Sequence, residues 1–158
     1  VKPENSWLEA RPGMTRVKIL DFGLARAADD HPRLTKLGAI VGTPAYMAPE
    51  QLIFPKVDGR ADIYSVGTMM YEMLTTEPLF SDFASVPDFL DLKVKRKDGL
   101  FTNKPSEVNP KLNEEMDQIF SAAVAYALEN RYASCREFRE HLERYVGRYL
   151  TNQDGKMG

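Results

Sequence analysis

Cysteine, histidine, tryptophan and long apolar runs are all scarce in this sequence. A single cysteine, Cys135, excludes an internal disulfide framework. That fits a reducing compartment and makes a cytoplasmic location the expectation. Two histidines, His31 and His141, stand without neighbours at metal-site spacing. No apolar stretch reaches the ~20 residues that a membrane-spanning helix needs. Charge of neither sign dominates: 21 Lys and Arg face 23 Asp and Glu, a net charge of −2. Bulk attraction to nucleic acid or to an anionic membrane surface is therefore not expected. There is no internal repeat and no low-complexity segment. What remains is an ordinary globular composition, 43% hydrophobic and 28% charged, with enough length for one domain and its own core.

Against this plain background, residues 21 to 50 stand out. They open with Asp21-Phe22-Gly23 and close with Gly42-Thr43-Pro44-Ala45-Tyr46-Met47-Ala48-Pro49-Glu50. A given tripeptide arises by chance about once in 8,000 positions; Asp-Phe-Gly and Ala-Pro-Glu in this order and at this spacing are far rarer. The carboxylate of Asp21 is a hard oxygen ligand suited to Mg²⁺, and Gly23 lets the backbone turn sharply behind it. This stretch resembles the C-terminal lobe of a eukaryotic-type serine/threonine protein kinase, in which both tripeptides are signatures flanking the activation segment. The length of the loop around Thr35 looks most like that of bacterial members.

The resemblance implies roles for residues along the chain. Val1-Lys2-Pro3-Glu4-Asn5 is similar to the end of the family's catalytic loop, with the catalytic Asp expected one position before Val1. Lys2 would steady the transferred phosphoryl group, and Asn5 and Asp21 would hold Mg²⁺. Taken by itself, the same pentapeptide reads as a charged, frayed chain end. Thr43 matches the residue that bonds the catalytic Asp and Lys. Glu50 would form a buried ion pair with Arg131. Asp62 would accept backbone hydrogen bonds from the catalytic loop, the alternative being a helix-start acid favoured by the macrodipole. Thr35, the only hydroxyl between Leu24 and Val41, would be the phosphorylation site, with Arg26 as its basic partner; the alternative is that both are solvated loop residues.

Local patterns place these residues on elements. Pro12-Gly13 is a turn signal, and Val17 and Ile19 alternate with charged residues, so a β-hairpin is expected between Ser6 and Leu20, with residues 9–14 as a long turn. A short helix follows Pro49. Ile63, Val66, Met69, Met70, Met73 and Leu74 recur at helical spacing and predict a buried central helix. It ends at Thr75-Thr76, with Thr76 where the family commonly has Gly. Ser85 to Lys97 predicts a further helix whose basic run, Lys93, Lys95, Arg96 and Lys97, reads as a solvated end or as a nuclear-localisation or nucleic-acid patch; the overall charge favours the former. Residues 99–110 predict a loop. Asn113 caps a helix with Met116, Ile119, Phe120, Ala123 and Val124 on one face. Ser134-Cys135-Arg136-Glu137 is a capping-box pattern opening a last helix, with Cys135 expected as an inert packing residue. Residues 151–158 predict a frayed tail.

The fold class expected is mainly α: a protein-kinase-like C-terminal lobe over residues 1–150, helical, with a small β-hairpin before Asp-Phe-Gly. The function implied is transfer of the ATP γ-phosphate, with Mg²⁺, to Ser or Thr hydroxyls of protein substrates. No Gly-rich nucleotide loop and no strand Lys occur in these residues. The resemblance thus implies a missing N-lobe as partner, no activity for this chain alone, and an exposed lobe interface prone to self-association. Two rivals stand beside it: a non-catalytic binding or scaffolding module built on a kinase lobe, and an unrelated helical domain with chance motifs.

Overall fold

The computed structural model describes residues 1–20, 44–77, 86–101 and 103–149. Asp21, Arg26, Thr35 and Thr43 lie outside the described residues, as do His31, Ser85 and the tail 151–158. A 3₁₀ turn, Pro3–Asn5, leads into β1 (Ser6–Arg11), which pairs antiparallel with β2 (Met14–Ile19). The register runs from Ser6 opposite Ile19 to Arg11 opposite Met14. The connection is therefore only Pro12-Gly13, tighter than the turn expected over residues 9–14. Gly13 has φ of 77°, a left-handed conformation that glycine adopts without steric cost, and the cross-strand contact of Glu9 with Lys18 (2.6 Å) carries pairing close to the turn.

Beyond Pro44–Tyr46, a second 3₁₀ turn, the described chain is helical: α1 (Glu50–Ile53), α2 (Arg60–Thr75), α3 (Val86–Arg96), α4 (Pro105–Val108), α5 (Glu114–Ala123) and α6 (Cys135–Tyr149). The core lies where α2, α5 and α6 meet. Ile63, Tyr64, Met70 and Tyr71 of α2 pack with Met116, Ile119, Phe120 and Ala123 of α5 and with Phe138 and Tyr145 of α6. Phe101 joins from the side, its ring edge-on to Phe120 at 5.3 Å. Closest approach occurs at Gly67. A Cβ there would stand 2.9 Å from both Ala123 Cβ and Val124 Cγ1, so only glycine lets α2 and α5 come this close.

Side chains satisfy backbone groups at several helix ends. Asn113 Oδ1 accepts from Met116 N at 3.3 Å, the N-cap bond expected for α5. Ser134 Oγ accepts from Glu137 N, while Glu137 Oε2 reaches back to Ala133 N. At the end of α2, Asn109 Nδ2 donates to Leu74 O (2.7 Å), and Thr76 closes the helix at φ 59°. This is the left-handed cap for which glycine is preferred, so a β-branched residue holds it under strain of roughly 1–2 kcal/mol.

Four expectations are corrected here. Met73 is 69% exposed and falls outside the buried stripe of α2, which runs on through Tyr71 and Leu74 to the end of the helix. The loop expected over 99–110 contains α4, which is fastened to α5 because the buried Asp117 carboxylate accepts from Ser106 N and Ser106 Oγ (2.9 and 2.6 Å). Cys135 is exposed: it is the first residue of α6, and the buried face begins only at Phe138. Lys93, read as part of a solvated basic run, is fully buried, because it lies four residues after Phe89 and three after Leu90 on the inward face of α3.

Candidate active site

Asn5 ends the first 3₁₀ turn, where its N–H donates to Lys2 O (3.1 Å). Ser6 Oγ donates to the same carbonyl. The hairpin then returns the chain to its start: Leu20 N donates to Asn5 O at 2.7 Å. Asp21 follows Leu20 in the chain and is itself outside the described residues. Lys2 and Asn5 are half-buried. Among the described residues no group of three acidic, His or Cys side chains is disposed to hold a metal ion. Asn5 contributes a neutral amide oxygen, a donor type suited to a hard cation that keeps most of its waters.

Asp62, in the first turn of α2, is exposed, and its Oδ1 lies 3.7 Å from the Val1 nitrogen.

The segment Ala45–Met47 rests on α2 and α3. Ser65 Oγ donates to Tyr46 O (2.8 Å), and Tyr46 Oη donates to Glu72 Oε2 (2.7 Å). Burial, reinforced by the Glu72 hydrogen bond, pushes the Tyr46 phenol well above its ordinary pKa, so it stays a donor. Lys93 Nζ donates to Ala45 O (2.8 Å) and to Met47 O. Burial pushes Lys93 down to about 7, with the Glu50 charge opposing; the two carbonyls and the faces of Tyr64 and Phe89, each 5.1 Å from Nζ, favour its cationic form. Neither Lys93 nor the Tyr46–Glu72 bond is among the sequence-derived site residues. The spacing of Lys93 from Phe89 and Leu90 was the available signal for the first; the second joins residues too distant in sequence for any local pattern to reveal.

Beneath this segment lies a buried ion pair. Arg131 NH1 and NH2 reach Glu50 Oε1 and Oε2 at 2.6 and 3.2 Å. The remaining guanidinium donors are used on backbone carbonyls: Nε and NH2 on Ala125 O, and NH1 on Arg60 O. Its carbon sits 5.1 Å from the Tyr64 ring centre. Glu50 and Arg131 are 6% and 4% exposed. The pair therefore ties the segment after Pro49 to the start of α2 and to the loop before α6. The structure brings together Glu50 with Arg131, and Lys2 and Asn5 with the end of the hairpin.

This layout, with one segment closing a hairpin and a second anchored by a buried Glu–Arg pair, agrees with a protein kinase lobe. The protein kinase domain family matches residues 1–142. The chain belongs to the protein kinase family. Its relatives include the serine/threonine-protein kinase Pkn1 of Myxococcus xanthus, 39% identical over 144 residues. The serine/threonine-protein kinase PknB of Mycobacterium tuberculosis is 37% identical over 145 residues. These alignments cover 90% and 91% of this chain but 20% and 22% of the relatives. The chain thus spans about a fifth of the length of the curated relatives it matches. Its kinship is to eukaryotic-type serine/threonine kinases, and its mostly helical body with one antiparallel hairpin is the fold class expected of such a fragment. No helix among the described residues is long and apolar enough to cross a membrane.

Proposed function

We propose that these residues form the C-terminal lobe of a serine/threonine protein kinase that transfers the ATP γ-phosphate to Ser or Thr hydroxyls of proteins. One observation supports this above the rest: the 2.7 Å bond from Leu20 N to Asn5 O. It clamps the chain just before Asp21 onto Asn5, which favours those two side chains as the oxygen donors of one Mg²⁺ site. In this reading ATP supplies the phosphoryl group and Mg²⁺ neutralises its charge. Lys2 steadies that group in transit, Thr43 orders the catalytic loop, and Asp62 braces it from α2. Phosphate on Thr35 would add about −1.5 to −2 charges and draw Arg26 toward it. The adenine would lie against an N-lobe outside these residues, and the reaction would run in the cytoplasm, where ATP is available.

The test is phosphorylation of a Ser/Thr peptide by the native polypeptide carrying this chain. Asp21→Asn and Asn5→Ala should each lower kcat by at least about 10²-fold, the scale of losing one preorganised electrostatic contact, with folding unchanged by circular dichroism. Nucleotide binding without phosphotransfer, or activity indifferent to both substitutions, would leave a non-catalytic binding module as the better description.

A further inference from the structure

Lys93 is the polar residue on which the architecture spends most. Its side chain has no solvent exposure, and removing an ammonium from water costs several kcal/mol before any compensation. Packing alone does not call for a lysine: an unbranched apolar side chain would fill the space between Tyr64 and Phe89 without that cost. The ammonium group is used on backbone. It joins the carbonyls of Ala45 and Met47, two residues apart on the segment that precedes α1. The side chains of residues 45–47 are only half-buried, so the segment has little apolar anchorage until Ala48. Three side chains fix its course instead. Ser65 and Glu72 both engage Tyr46, whereas Lys93 grips the residue on each side of it.

We propose that Lys93 is a positioning residue for acceptor-peptide docking, holding the Ala45–Met47 backbone in the shape on which the peptide lies. This rests on the kinase reading above and on the resemblance of residues 42–50 to that family's substrate-docking platform. Lys93 acts on the Ala45–Met47 backbone, so in this reading its effect belongs to the peptide and not to ATP.

The experiment uses the native polypeptide carrying this chain, with Lys93→Met and Lys93→Gln. For Lys93→Met, the KM for a Ser/Thr acceptor peptide should rise about tenfold, the equivalent of a hydrogen bond to a charged group, while the KM for ATP stays within about twofold. Amide exchange should quicken over residues 45–48 and not over α5. Lys93→Gln keeps a donor at the end of the side chain and should recover part of the peptide KM. An unchanged peptide KM in a folded variant, or peptide and ATP values rising in parallel, overturns the positioning role. If Lys93→Met does not fold, Lys93→Gln is judged by the same criteria. A wild-type protein that phosphorylates no peptide overturns the kinase reading and this role with it; an active wild type indifferent to Lys93 overturns the positioning role alone.

Discussion

The hairpin and the helical body treat apolar side chains in opposite ways. In the body, Ile63, Tyr64, Ile119, Phe120 and Ala123 are all under 5% exposed. In the hairpin, Trp7, Leu8, Met14 and Val17 are 60–65% exposed, and every residue of β2 is exposed. A two-stranded ribbon has only marginal stability of its own in water, and this one is held by its ladder, its Pro12-Gly13 turn and the Glu9–Lys18 contact. The body takes its stability from burial. The difference separates two uses of hydrophobic residues: in the body they build the fold, in the hairpin they form a surface.

Substitutions can break that comparison or sharpen it. The largest effect is expected from Arg131→Ala, which strands Glu50 in the interior and frees the carbonyls of Ala125 and Arg60. Loss of one partner of a buried pair costs ~3–5 kcal/mol, enough to unfold most molecules of a marginally stable domain; chemical denaturation or failed soluble expression would show it. Gly67→Ala comes next. Its methyl group would press on Ala123 and Val124 at 2.9 Å, and forcing α2 from α5 should cost about 1–3 kcal/mol, read as a lower denaturation midpoint. Smallest is the pair Leu8→Thr and Val17→Thr, cross-strand partners on the hairpin. Each should change stability by about 0.5 kcal/mol or less. A hairpin substitution that matched Gly67→Ala would mean that the ribbon is part of the core after all.

The same contrast explains what could be read from the sequence. Helices α2, α5 and α6 carry apolar residues at helical spacing, α5 and α6 also carry recognisable caps at Asn113 and Ser134, and all three were legible. The hairpin was legible from Pro12-Gly13 and the alternation at Val17 and Ile19, though its turn was overestimated because Glu9 and Arg11 look polar enough to be loop. The family resemblance pointed to Glu50 and Arg131, which no periodicity could have paired. Helix α4 was hidden, since a four-residue helix between prolines has no period and depends on Asp117, a distant partner. Lys93 was misread because its charge was weighed by composition and not by its place on the face of Phe89 and Leu90.

The Glu50–Arg131 pair also carries a consequence for biosynthesis. Its partners are 81 residues apart, so a ribosome adding about 5–20 residues per second needs roughly 4–16 s to deliver Arg131 after Glu50. Throughout that interval the Glu50 carboxylate lacks its bidentate partner Arg131, and burying it without that partner would be costly. Residues 44–75 can form helical turns as they emerge, but they cannot close over Glu50 until the loop before α6 has been made. Packing of α2 onto α5 and α6 therefore waits until the chain has been made as far as Arg131.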